Sequence, residues 1–89
     1  MKVQFADRGW EDYLTWQQDR PMLRRVNALI DEIQRNGHQG IGKPEQLRGN
    51  WAGFWSRRID QDHRLVLRIN EGTVQIAQCR YHDERTSTP

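Results

Sequence analysis

The sequence predicts an α+β domain, with two helices packed on one face of a mostly antiparallel sheet of four to five strands. Three observations carry this. A short alternating stretch opens the chain at Lys2–Ala6. Two stretches of helical period follow, as far as Asn36. From Glu45 onward the period changes to two. Helices followed by a run of strands is the pattern of a sheet covered on one side. An antiparallel sheet tolerates water on its other side, and a substrate would lie there.

Each element has its own signal. Val3 and Phe5 alternate with polar neighbours and read as a strand, and Asp7 is a suitable N-cap for the helix that follows. Trp10, Tyr13, Leu14 and Gln17 fall at helical spacing. Asp19-Arg20-Pro21 breaks that helix, and Pro21 fits the first turn of a second one. Met22, Val26, Leu29, Ile30 and Ile33 share one stripe, and Asn36-Gly37 ends it. A loop from His38 to Pro44 leads to strand candidates at Gln46–Arg48 and, after a turn at Asn50 to Gly53, at Phe54–Asp60. A hairpin pairs His63–Ile69 with Thr73–Tyr81 around Asn70-Glu71-Gly72. Residues 1–82 read as a single domain, and 83–89 as a polar, flexible tail.

Composition narrows the functional classes. A chain of 89 residues buries only about 60% of its unfolded surface. There is little room for an internal cofactor, and none is expected. Only 35% of the residues are hydrophobic; four Trp partly compensate, and self-association into a homodimer would help further. Cys79 is the only cysteine, which excludes an intrachain disulfide and a cysteine-based zinc site. His38 and His63 lack the spacing of metal ligands and read as structural or solvent-facing, so no metal is expected. No stretch approaches the ~20 apolar residues of a membrane span, and no apolar signal region follows Met1. A soluble, cytoplasmic protein with no membrane partner is the expectation.

Charge points to a polyanion. Between Arg48 and Arg80 every cation is arginine: Arg48, Arg57, Arg58, Arg64, Arg68 and Arg80. The planar guanidinium matches phosphate oxygens in pairs, as a lysine does not. The competing reading of such a run is a solvated surface. Alternation in His63–Ile69 sends Leu65, Leu67 and Ile69 to the helices and Arg64 to the open face. In the last strand Val74 and Ile76 share parity with Gln78, Arg80 and His82. Either a bulge intervenes or the open face is partly apolar; both remain open at this level. Glu45, Arg64 and His82 are the types that RNA cleavage by its own 2′-hydroxyl requires: a base, a cation for the charged phosphorane and an acid for the leaving oxygen. Three such residues across nearly 40 positions are not specific by themselves.

Gly42-Lys43-Pro44-Glu45, Leu47, Gly53-Phe54-Trp55-Ser56-Arg57-Arg58-Ile59, His63-Arg64-Leu65-Val66 and Cys79-Arg80-Tyr81-His82 stand in order and at characteristic spacing. Together with Trp10 to Leu14 and Trp16-Gln17, these blocks resemble the YoeB/Txe family of the RelE superfamily, over about residues 1–82. The resemblance implies the toxin of a bacterial type II toxin–antitoxin system. Its expected activity is metal-independent endoribonuclease cleavage of messenger RNA on the ribosome, inhibiting translation. Its expected partner is a YefM-like antitoxin, with DNA met only indirectly through that antitoxin. It implies Glu45 as general base, Arg64 as the charge-stabilising cation and His82 as general acid. Arg58, with Arg57 beside it, would add positive charge at the phosphate, and Arg48 would hold the RNA backbone. One position departs. The family follows this His with a Tyr that orients RNA; here Asp83 stands in that place and six more residues follow. A carboxylate repels phosphate and cannot stack, although its charge would favour protonated His82. Tyr81 and Trp55 are the candidate stacking surfaces instead. Because of Asp83, a binding module that blocks translation without catalysis is the alternative.

Overall fold

The computed structural model describes residues 1–81. His82, Asp83 and the proposed tail lie outside the described residues. The elements run β1 (Lys2–Phe5), α1 (Asp7–Thr15), α2 (Arg20–Asn36), β2 (Glu45–Gln46), β3 (Trp55–Arg58), β4 (Arg64–Asn70) and β5 (Thr73–Gln78), with 3-10 turns at Trp16–Gln18 and Gly49–Trp51. One five-stranded sheet has the order β1-β5-β4-β3-β2; β1 is parallel to β5 and every other pair is antiparallel. Two helices on a mostly antiparallel sheet is the architecture the periodicity predicts.

The helix boundaries follow local chemistry, with one shift. Asp19 caps α2 by accepting the Met22 N–H at 3.2 Å, and Gly37, at φ 67°, ends it. Ala6, not Asp7, is the N-cap of α1. Asp7 sits inside the first turn, where its charge meets the unpaired N–H groups of the helix start. The predicted stripe of α2 is the buried one: Met22, Val26, Leu29 and Ile33 pack with Leu65, Leu67, Val74 and Ile76. Helix α1 lies close on β5 because residue 9 is glycine; a Cβ there would run into the Ile76 carbonyl. Gly9→Ala is expected to push helix and strand apart and lower stability by about 1–3 kcal/mol, read by thermal unfolding.

The ambiguity in the last strand resolves as a bulge. Leu67 pairs with Ile76, but Val66 pairs with Gln78, so Ala77 is the extra residue. Before it, Val74 and Ile76 face the helices. After it the parity flips, and Cys79, wholly buried, takes over the inward direction. Glu71 and Gly72, both at positive φ (50° and 75°), form the two-residue turn of the β4–β5 hairpin in the sense that matches strand twist.

Candidate active site on the open sheet face

Register assembles the site. Glu45 lies opposite Ser56, Ser56 opposite Val66, and Val66 opposite Gln78. Opposed residues of antiparallel strands share a face, so these four form a row across the sheet. Arg58 and Arg64, also directly opposed, form the next row. Both rows lie on the face turned away from the helices, where Glu45 and Arg58 are exposed while Ser56, Val66 and Gln78 are buried. Strand β2 has only two residues, and its Glu45 is tied in by pairing with β3 and by the bond from the Arg58 N–H to the Gly42 carbonyl at 2.6 Å just upstream.

Arg64 is the hub. Its Nη1 donates to Glu45 Oε1 at 3.1 Å and to Ser56 Oγ at 3.0 Å. The guanidinium is sheltered, with 16% of its side chain exposed, whereas the Glu45 side chain is 62% exposed. A solvent-exposed carboxylate is thus held against a cation whose contacts include Glu45 and Ser56. Across from Arg64, Arg58 is exposed and forms no ion pair among the described residues, and the same is true of Arg48 beyond β2.

Two expected contacts are corrected. Arg57 does not join the open face. It alternates with Ser56 and Arg58, so it points to the helices and is completely buried. Its Nη1 donates to Glu32 Oε1 at 2.6 Å and to the Ile41 carbonyl at 2.7 Å, and its Nη2 to the Gly37 carbonyl at 2.6 Å. Glu32 also accepts from Asn36 Nδ2 at 2.8 Å. Hydrogen bonds from Arg57 and then Asn36 hold the Glu32 carboxyl below the usual carboxylate range. Arg57 therefore organises the loop that leads to Glu45 and lies away from the open face. Gly40, at φ 133°, belongs to this arrangement, since a side chain there would collide with the Glu32 carboxylate. Trp55 is the second correction. It lies opposite Leu67, packs against the core and stacks on His38 at 4.1 Å between centroids, so it offers no outward stacking surface. Burial, then the Arg57 charge, pushes the His38 imidazole below its ordinary value.

Tyr81 is the last described residue. It is exposed, its ring lying 4.4 Å beneath the Arg80 guanidinium and 5.4 Å from the His63 ring. His82, the expected acid, follows immediately but lies outside the described residues, as does Asp83. Trp51 is half-buried, edge-on to Phe54 at 5.0 Å. Burial and then the Asp12 charge push the Cys79 thiol up to about 12, which removes it as a nucleophile at neutral pH. Among the described residues no group of three or more His, Cys, Asp or Glu could hold a metal ion, and no helix is long and apolar enough to cross a membrane.

Sequence reasoning missed three side chains that shape the end of β5. Asp12 accepts the Cys79 N–H at 3.1 Å, Trp16 donates to the Cys79 carbonyl at 2.7 Å, and His63 Nδ1 accepts the Tyr81 N–H at 2.7 Å. The partners are main-chain groups far away in sequence, and no residue pattern announces them.

The fold and this site define a small α+β domain with a carboxylate and paired guanidiniums on one open sheet face. Residues 5–83 match the family described as YoeB-like toxin of bacterial type II toxin-antitoxin system. Toxin YoeB of Streptomyces coelicolor is 47% identical over 83 residues, covering 92% of this chain and 99% of that protein. The toxin in the heterotetrameric YoeB-YefM toxin-antitoxin complex from Staphylococcus aureus is 43% identical with a TM-score of 0.86, covering 92% of this chain and 97% of its own. The YoeB dimer from Staphylococcus aureus gives 43% identity and a TM-score of 0.85 over the same shares. The chain belongs to the YoeB family of type II toxins.

Proposed function

We propose that this toxin is a metal-independent endoribonuclease that cuts messenger RNA on the ribosome. The observation that carries this reading is the Glu45–Arg64–Ser56 arrangement, with Arg58 directly opposite Arg64. Like charges directly opposed across a sheet destabilise it unless an anion lies between them. A scissile phosphate is such an anion. It would draw Arg64 away from Glu45 and leave that carboxylate beside the adjacent 2′-hydroxyl.

Glu45 takes the 2′-OH proton, O2′ forms a bond to phosphorus, and the bond from phosphorus to O5′ breaks. His82 gives its proton to O5′. The products are a 2′,3′-cyclic phosphate and a 5′-hydroxyl end. Arg64 and Arg58 balance the charge that builds on the non-bridging oxygens. Arg48 would hold backbone phosphate outside this centre, Tyr81 would offer a stacking surface, and Asp83 would border the leaving side. A YefM-like antitoxin silences the protein, and a homodimer is its working assembly; the Staphylococcus aureus relatives occur as a YoeB-YefM heterotetramer and as a YoeB dimer. The cytoplasm, where translating ribosomes are, is the expected location.

The test is cleavage of ribosome-bound message, with the new ends identified, beside the same message carrying a 2′-deoxynucleotide at the cut site. A cyclic phosphate terminus in the first and no cutting in the second are expected. A 5′-phosphate product, or undiminished cutting of the deoxy-substituted message, would refute the mechanism.

A further inference from the structure

Pairing between β4 and β5 ends at Val66–Gln78, yet the chain beyond it is gripped. Asp12 and Trp16 hold both main-chain groups of Cys79 from the buried side. At Tyr81 the grip passes to β4's leading edge: the Arg64 N–H donates to the Tyr81 carbonyl at 3.1 Å, and His63 Nδ1 accepts the Tyr81 N–H at 2.7 Å. His63 is itself fixed. Its own N–H donates to Asp60 Oδ1 at 2.8 Å, and its ring stands edge-on to Trp16 at 4.9 Å. Between these contacts Tyr81 adopts φ 66°, a left-handed conformation that a bulky aromatic residue rarely takes. Such a conformation persists only where its surroundings over-determine it.

We propose that His63 is a positioning residue, whose Nδ1 locks Tyr81 in its left-handed turn and so sets the direction in which the chain leaves toward His82. The proposal rests on the reading of His82 as the acid. It also assigns the tautomer: Nδ1 can accept only if the ring proton is on Nε2. The two neighbours in the His63-Arg64 pair then have separate tasks, Arg64 at the phosphate and His63 at the segment that delivers the acid.

The test compares His63→Asn, which keeps an acceptor near the position of Nδ1, with His63→Leu, which has bulk but no acceptor, in the full chain on translated message. His63→Leu should bind with KM within about threefold of wild type and lose about 10- to 100-fold in kcat, because small misplacements of a reacting group cost that much. His63→Asn should recover kcat to within about threefold. Unchanged kcat in His63→Leu, or equal loss in both variants, would overturn the proposal. Should His63→Leu not fold, His63→Gln replaces it, since its acceptor reaches toward the Nε2 position; equal rates for Asn and Gln would then be the contrary result. Hydrogen exchange of the Tyr81 amide separates this proposal from its parent. Protection retained in Asn and lost in the acceptor-less variant supports the lock even if His82→Ala cuts like wild type, the outcome that would sink the acid assignment alone. Protection unchanged in all variants contradicts the lock.

Discussion

Arg57→Ala should lose about 3–5 kcal/mol of stability in urea unfolding, a large share of what a small domain has. The adjacent Arg58→Ala should stay within about 0.5 kcal/mol of wild type, since it removes an exposed side chain facing a like charge. The difference follows from parity. Arg57 is wholly buried and bonded to Glu32 and three main-chain carbonyls, and its removal leaves the buried Glu32 carboxylate without its cation. The pH dependence should carry the same signature. The folded Glu32 carboxyl is held below 4.5, so its stabilising share is complete above about that pH and drains as pH falls through the lowered folded value. In Arg57→Ala that acid-side loss should flatten. A wild-type-like midpoint for Arg57→Ala would show that the buried pair is not what anchors the loop ahead of Glu45.

Arg64→Ala should do the reverse: little change in stability and a fall of about 10²–10³ in cleavage rate. The pair with Glu45 is open to water on the carboxylate side, and such pairs contribute about 0–1 kcal/mol. On the proposed mechanism its value is in the transition state, where the guanidinium would meet charge that the ground state lacks. Arg64→Lys should recover only part of the rate, because an ammonium cannot contact Ser56 and a phosphate in the same fork geometry. Single-turnover cleavage with thermal unfolding on the same preparations reads both quantities. Cleavage within threefold of wild type in Arg64→Ala would remove it from the chemistry.

The layout of the domain was legible because its signals are periodic. The stripe from Met22 to Ile33 and the alternation from Arg64 to Ile69 are the patterns that a helix and a strand impose on burial. Arg64 was placed on the open face by that alternation alone. The same alternation, applied to Trp55-Ser56-Arg57-Arg58, sends Trp55 and Arg57 toward the helices and Ser56 and Arg58 to the opposite face. The bulge at Ala77 was undecidable, because Val74, Ile76 and Gln78 satisfy either parity until the partner strand is seen. The contact of Glu45 with Arg64 depends on the registers of three strands together, which no local pattern encodes. The grip on Cys79 and Tyr81 was invisible for a different reason: its acceptors and donors on one side are main-chain groups, identical at every position.

The central claim is that Glu45 and His82 act as base and acid on an RNA held by Arg64. Primer extension on a translated message, with wild-type, Glu45→Ala and His82→Ala proteins at matched ribosome occupancy, tests it most directly. A defined cut site in the wild type that vanishes in both variants, while both still bind the ribosome, is the expected result. Translation arrested equally by all three proteins, with no new RNA end in any of them, would contradict it and leave a binding module in place of an enzyme.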